Sequence, residues 1–113
     1  LLEDFLKVGI DGVSIGSNDL TMLLLGTDRD NSEVAPQFDE RNPAVLWALE
    51  KTIKTAHKLG VTSSICGQAP SQYPDLVEKL VQWGITSISV NPDAIEHTRS
   101  TIALAEKRRV NSK

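Results

Sequence analysis

A short unit of sequence occurs three times in this chain and restricts its fold more than any other feature. Each copy begins with a glycine after a helical pattern and continues as a short run containing β-branched residues, at residues 9–16, 60–67 and 84–91. Glycine readily adopts the left-handed conformation that ends a helix, and such a run is typical of a buried strand. The repeat therefore predicts three strands, each entered directly from a helix.

The segments between these strands carry helix signals. An asparagine–proline pair at residues 42–43 provides a cap and a first-turn proline for a helix over residues 44–59. Further helices are predicted over residues 74–83 and 92–108, the last one capped by Asn91. Alternating helices and strands predict an α/β fold of parallel strands joined by right-handed crossovers. Three strands are too few to close a barrel.

Length and composition limit the classes of protein that the chain could represent. Its 113 residues, 40% of them hydrophobic, suit one domain. A net charge of −3 argues against the basic surface that nucleic-acid binding requires. The basic residues at 107–109 are instead expected to complement a helix dipole.

The single cysteine excludes an internal disulfide, and no stretch approaches the roughly 18 apolar residues of a membrane span. We therefore expect a cytoplasmic protein with no membrane partner. The chain begins with Leu1 rather than methionine and enters a helical pattern at once, so we expect it to be part of a longer protein.

Polar residues follow the predicted strands at the ends where ligands bind in parallel α/β folds. Residues 16–19 end the first strand, residues 66–68 end the second, and Asn91 ends the third. Because the carboxyl ends of parallel strands lie at one edge of a sheet, we expect these residues to meet there. The long charged loop over residues 26–41 is expected to cover that edge.

The side chains at this edge have both structural and chemical interpretations. Asn18 and Asp19 precede an apolar helical run, so they are either a helix cap or an amide donor beside a divalent-cation ligand. Arg29 is either a surface arginine paired with neighbouring aspartates or a bidentate phosphate ligand. Cys66 is either a small buried apolar residue or a thiol that exchanges a proton with substrate.

Other familiar sites find no support in the sequence. His57 and His97 fall inside helical patterns with no partner motif, so we interpret them as structural or surface residues. The chain contains no Walker loop, no GxGxxG after a strand, no HExxH and no paired CxxC. Nucleotide cradles and zinc sites are therefore not indicated.

The strand-end segments resemble the C-terminal barrel of the phosphoenolpyruvate-utilising phosphotransferases. The family pattern SIG[ST]NDLTQ, then DR, then CG[EQ] corresponds to residues 14–22, 28–29 and 66–68, with Met22 in place of the usual glutamine. The match covers residues 12–99. Residues 38–41, 65–71 and 87–93 are most similar to the members that convert ATP, pyruvate and water into AMP, phosphoenolpyruvate and phosphate.

The resemblance implies a (β/α)8 barrel, of which this chain would form one domain segment, residues 1–113, with about strands 6–8. It implies that Asp19 binds Mg²⁺, that Gly16, Ser17 and Asn18 contact pyruvate or phosphoenolpyruvate, and that Arg29 holds phosphate. Cys66 would exchange the methyl proton of pyruvate. The resemblance also implies that Asp19 contacts the substrate.

The family's phosphohistidine segment and ATP site do not occur in these residues. The expected partner is therefore a phosphohistidine domain of the parent chain, and the isolated chain is expected to be inactive and to self-associate through uncovered edges. Three alternatives stay open: an assembly module that forms homo-oligomers, another phosphotransferase of the same family, or a pyruvate-handling lyase on a related barrel.

Overall fold

A computed structural model of the chain describes residues 1–27 and 39–111. The helices are α1 (Leu2–Lys7), α2 (Ser17–Leu25), α3 (Pro43–Lys58), α4 (Ala69–Gln72), α5 (Pro74–Trp83) and α6 (Ile95–Asn111), and the strands are β1 (Gly12–Gly16), β2 (Thr62–Cys66) and β3 (Ser87–Ile88). A 3₁₀ turn over Pro92–Ala94 precedes α6.

The three strands form one parallel sheet in the order β1–β2–β3. In its register Gly12 pairs with Thr62 and Gly16 with Cys66, while Ser64 pairs with Ser87. Each strand lies beside the next one in sequence, with helices in every connection. The predicted α/β class and parallel strands are confirmed.

The glycine that opens each repeat has the predicted conformation. Gly9, Gly60 and Gly84 have positive φ values of 111°, 72° and 95°. Each one follows a helix and precedes a strand. The chain therefore reverses from helix to strand at the three places where the repeat predicts it.

The apolar core lies between the helices and one face of the sheet. Ile15 and Ile65 contribute from the strands, while Leu49 and Ile53 of α3 and Leu80 of α5 cover them. These side chains are at most 8% exposed. At about 25 cal/mol per Å² of apolar surface removed from water, this packing is the main favourable term holding the helices on the sheet.

The opposite face of the sheet consists of small residues that are exposed in the described structure: Gly12, Ser14, Thr62, Cys66 and Ser87. Successive strand residues point to opposite faces, so these positions alternate with the buried ones. The chain thus has one apolar face packed under helices and one small, mostly polar face without a covering layer of described residues.

The starts of two helices differ in detail from the sequence signals. Gly16 occupies the N-cap of α2, so Asn18 and Asp19 lie inside the first turn and do not cap it. The last predicted helix begins as a 3₁₀ turn at Pro92, and Asn91 occupies the predicted N-cap position but makes no side-chain capping hydrogen bond. In both cases the helix or turn after the strand begins without a side-chain cap.

Within residues 1–27 and 39–111, no helix has the length and apolar character needed to cross a bilayer.

Candidate active site

The end of β1 runs directly into α2 and displays three polar side chains at different depths. Ser17 is 1% exposed, Asn18 is half-buried, and Asp19 is exposed. The carboxylate of Asp19 folds back over the strand end, where its Oδ2 lies 3.2 Å from the position that a Cβ on Gly16 would take. A glycine at position 16 therefore leaves room for this carboxylate.

Cys66 ends β2 directly beside Gly16, its partner in the register. Neighbouring strands lie about 4.8 Å apart, and the Cys66 thiol donates a weak hydrogen bond to the Ile15 carbonyl, with Sγ 3.6 Å from the oxygen. The thiol is exposed. Cys66 and Asp19 therefore flank the same glycine at the carboxyl edge of the sheet.

Gly67 joins the two strand ends by close contact. Its φ is +116°, and a Cβ there would lie 2.2 Å from Ser17 Oγ and 3.4 Å from the Ser17 nitrogen. Only glycine fits, because both the backbone conformation and the space exclude a side chain. The turn that follows Cys66 therefore packs against Ser17, the first residue of α2.

Ser17 also contacts an acidic residue that we did not single out from the sequence. Its hydroxyl donates a hydrogen bond to Glu40 Oε2 at 3.3 Å, and Glu40 is only 3% exposed. Thr21 Oγ1 donates to the Ser17 carbonyl at 2.7 Å. The run at residues 38–41 resembles the family, but it carries no motif that indicates a buried carboxylate.

Hydrogen bonds hold the end of β3 at the same edge of the sheet. The Asn91 backbone N–H donates to Ser71 Oγ at 3.0 Å, and Ser71 belongs to α4, which follows β2. The Ser89 N–H donates to the Ile65 carbonyl at 2.9 Å. The ends of β1, β2 and β3 therefore form one continuous edge.

Arg29 lies outside the described residues, as does most of the charged loop expected to cover the edge. The described end of this loop contains Arg41, whose guanidinium lies 4.3 Å from the centre of the Tyr73 ring. Arg41 Nε is also 3.6 Å from Asp39 Oδ1. The described contacts of the Arg41 guanidinium are thus with Tyr73 and Asp39.

The described residues contain no cluster of three potential metal-binding side chains. Asp19 is exposed and forms no ion pair with another described residue. Mg²⁺ commonly takes one or two protein carboxylates and completes its octahedron with waters and substrate oxygens. Asp19 fits one position of such a set, and further carboxylates would have to come from elsewhere.

Comparison with known proteins finds relatives that match nearly all of this chain. A family model described as PEP-utilising enzyme, PEP-binding domain, matches residues 1–107. A probable phosphoenolpyruvate synthase of Archaeoglobus fulgidus is 56% identical over 108 residues, 96% of this chain. The phosphoenolpyruvate synthases of Aeropyrum pernix and Helicobacter pylori are 56% and 51% identical, over 96% and 95% of this chain.

These relatives are much longer than the chain, which spans 13–14% of their length. The family match nevertheless covers nearly every residue, including both strand ends and the segments that pack beneath them. The chain belongs to the family of PEP-utilising enzymes, and the part it matches is their PEP-binding domain.

Proposed function

We propose that this chain is the C-terminal part of the pyruvate- and phosphoenolpyruvate-binding barrel of an enzyme that converts ATP, pyruvate and water into AMP, phosphoenolpyruvate and phosphate. The names of its relatives support this reaction. The observation that carries the proposal is the pairing of Cys66 with Gly16, because the Asp19 carboxylate folds over that same glycine. The thiol and the carboxylate therefore lie at the same strand end, beside Gly16.

In this proposal the polar groups at the edge have separate roles. Gly16, Ser17 and Asn18 form the wall against which pyruvate lies, and the Cys66 sulfur exchanges a proton with its methyl carbon. Loss of that proton leaves an enolate oxygen, which accepts a phosphoryl group from a phosphohistidine of the parent chain. Arg29, which lies outside the described residues, holds the phosphate in this assignment.

Asp19 would hold Mg²⁺, which supplies positive charge beside the enolate oxygen when it is bound. The exposed position of Asp19 and its freedom from ion pairs with the other described residues support this assignment. Asn18 lies next to it in the first turn of α2, where a negatively charged neighbour also benefits from the positive end of the helix dipole.

The strands would be about strands 6–8 of a (β/α)8 barrel. Three adjacent parallel strands with connecting helices and a sheet face covered by helices on one side only support this placement. In a barrel the other face points inward.

The cytoplasmic location expected from the sequence remains a prediction.

The function is tested in the full-length protein that contains this segment. We expect Asp19→Asn to raise the Mg²⁺ concentration that gives half-maximal phosphoenolpyruvate formation and to lower the maximal rate by about 100-fold, because an amide replaces a charged ligand. Asp4→Asn, on exposed α1, is the matched control and should behave as wild type.

Two results would contradict this function. The first is a wild-type enzyme that forms no phosphoenolpyruvate from ATP and pyruvate, and the second is Asp19→Asn activity equal to that of the control. The 113-residue chain alone should show no turnover, since the phosphohistidine and ATP site are absent from it.

A second candidate function is assembly, favoured by large apolar side chains that are exposed in the chain. Leu1, Phe5 and Val8 lie along α1 and its flanks with exposures of 93%, 66% and 80%. Exposed apolar patches mark interaction surfaces, and homo-oligomers of the parent enzyme built through this barrel would cover them.

We expect the isolated chain to self-associate, because both this apolar surface and the outer edge of β1 lack a described neighbour. Sedimentation velocity over a concentration series checks this: the average mass should rise above 12.3 kDa as concentration increases. The double variant Phe5→Ser, Val8→Ser should shift the series toward monomer, whereas the exposed Trp47→Ser on α3 should not. A monomer at every concentration would contradict the expectation.

A further inference from the structure

Glu40 is the buried acidic residue of the described structure. It is 3% exposed, and none of the other carboxylate side chains among residues 1–27 and 39–111 is buried. Removing a carboxylate from water is costly unless hydrogen bonds compensate it. A buried glutamate in the turn before α3 therefore calls for an explanation at the place where its carboxylate lies.

The carboxylate lies against Ser17, the first residue of α2. Ser17 stands between Gly16, which pairs with Cys66, and the two residues Asn18 and Asp19. Its hydroxyl also touches the turn at Gly67, since a Cβ on that glycine would meet Ser17 Oγ at 2.2 Å. One hydroxyl group thus contacts both strand ends, and Glu40 accepts its hydrogen bond.

The turn that carries Glu40 is braced on both sides. Asp39 Oδ1 accepts the Arg41 N–H at 2.9 Å, and the Asn42 N–H donates to the Asp39 carbonyl at 3.0 Å. Asn42 Oδ1 in turn accepts the Ala44 N–H at 2.9 Å and begins α3. The backbone at Glu40 is therefore fixed by the turn, so only the Glu40 side chain has to be ordered when it binds Ser17.

We infer that Glu40 is a positioning residue of the active site. It does not touch substrate; its carboxylate fixes the Ser17 hydroxyl, which holds the first turn of α2 and the Cys66–Gly67 turn in one arrangement. Asp19 and the Cys66 thiol then keep their places on either side of Gly16. The inference rests on the proposed function and assigns Glu40 to the same site.

Two substitutions separate the hydrogen bond from the fold. Glu40→Gln keeps an oxygen that accepts from Ser17 and should retain most activity. Glu40→Met has similar length and no acceptor, and replacing a buried charged group by an apolar one of similar volume is often neutral or stabilising. We expect Glu40→Met in the full-length enzyme to remain folded and to lose about 10- to 100-fold in kcat for phosphoenolpyruvate formation.

The control removes the side-chain cap of α3 but keeps the Asn42 N–H that binds the Asp39 carbonyl, so the turn that carries Glu40 keeps its backbone hydrogen bonds. Asn42→Ala removes the cap of α3 and should lower the unfolding midpoint while leaving kcat unchanged. Because Glu40 acts through the placement of Asp19, Glu40→Met should also raise the half-saturating Mg²⁺ concentration, and Asn42→Ala should not. Phosphorylation of the enzyme by ATP, which needs no group from this segment, serves as the readout that all variants are assembled.

Each outcome decides the inference. Loss of kcat in a folded Glu40→Met with recovery in Glu40→Gln supports it. Glu40→Met that keeps wild-type kcat, that loses activity only in proportion to stability, or that unfolds would overturn it, as would Glu40→Gln no better than Glu40→Met. An inactive wild type overturns the proposed function itself, together with this role, whereas an active wild type with an active Glu40→Met overturns the positioning role alone.

Discussion

Cys66→Ser should lower phosphoenolpyruvate formation by the full-length enzyme by about 10²- to 10⁴-fold, the usual contribution of a positioned proton-exchanging group. Serine keeps the size of the side chain and can donate the same hydrogen bond to the Ile15 carbonyl. The fold of the strand end should therefore persist. What changes is the group that exchanges a proton with the methyl carbon, since a hydroxyl gives up its proton far less readily than a thiol.

The measurement is pyruvate-dependent phosphoenolpyruvate formation, with solvent deuterium incorporation into the pyruvate methyl group as the second readout. Both should fall in Cys66→Ser, while phosphorylation of the enzyme by ATP should not. Ser64→Ala is the matched control, because Ser64 lies on the same strand and the same face one layer below. Deuterium incorporation at the wild-type rate in Cys66→Ser would remove the thiol from the mechanism.

Gly67→Ala should destabilise the chain by about 3 kcal/mol, from a strained backbone conformation and a steric conflict together. A Cβ at this position would meet Ser17 Oγ at 2.2 Å with φ at +116°. Ser17 cannot withdraw easily, because it is 1% exposed and already bound to Glu40. The substitution should therefore move the two strand ends apart.

Urea unfolding of the chain at low concentration, followed by tryptophan fluorescence, measures this effect. Gly60→Ala is the control: its φ is +72°, but nothing lies within 4 Å of its Cβ position, so only the backbone cost of about 1 kcal/mol applies. Equal losses in the two variants would show that the Ser17–Gly67 contact contributes nothing.

Local sequence signals were enough to predict most of the fold. Each of the three repeat glycines lies between a helix and the following strand, and all have the positive φ that ends a helix. The pair at residues 42–43 does cap α3, with Asn42 accepting the Ala44 N–H. These features depend on a few adjacent residues, so they are readable without knowledge of the tertiary structure.

Contacts between residues that are distant in sequence cannot be predicted from such local signals. Ser17 and Glu40 are 23 residues apart, and nothing local distinguishes a buried glutamate from the exposed acids around it. The sequence does not identify Gly16 as the N-cap of α2, because Gly16 is also the last residue of β1. Asn18 and Asp19, which follow it, have the stronger propensity for an N-cap position. The part assigned to Arg29 lies outside the described residues and stays a prediction.

The most direct test of the site at the β1 and β2 ends is a crystal structure of the full-length enzyme with Mn²⁺ in place of Mg²⁺ and with oxalate, a planar dianion shaped like the enolate of pyruvate. We predict oxalate on a metal bound by Asp19, with the Cys66 sulfur about 3.5 Å from the ligand on the side where a methylene carbon would stand. Oxalate bound away from the β1 and β2 ends, or with Cys66 on the far side of the metal, would contradict it.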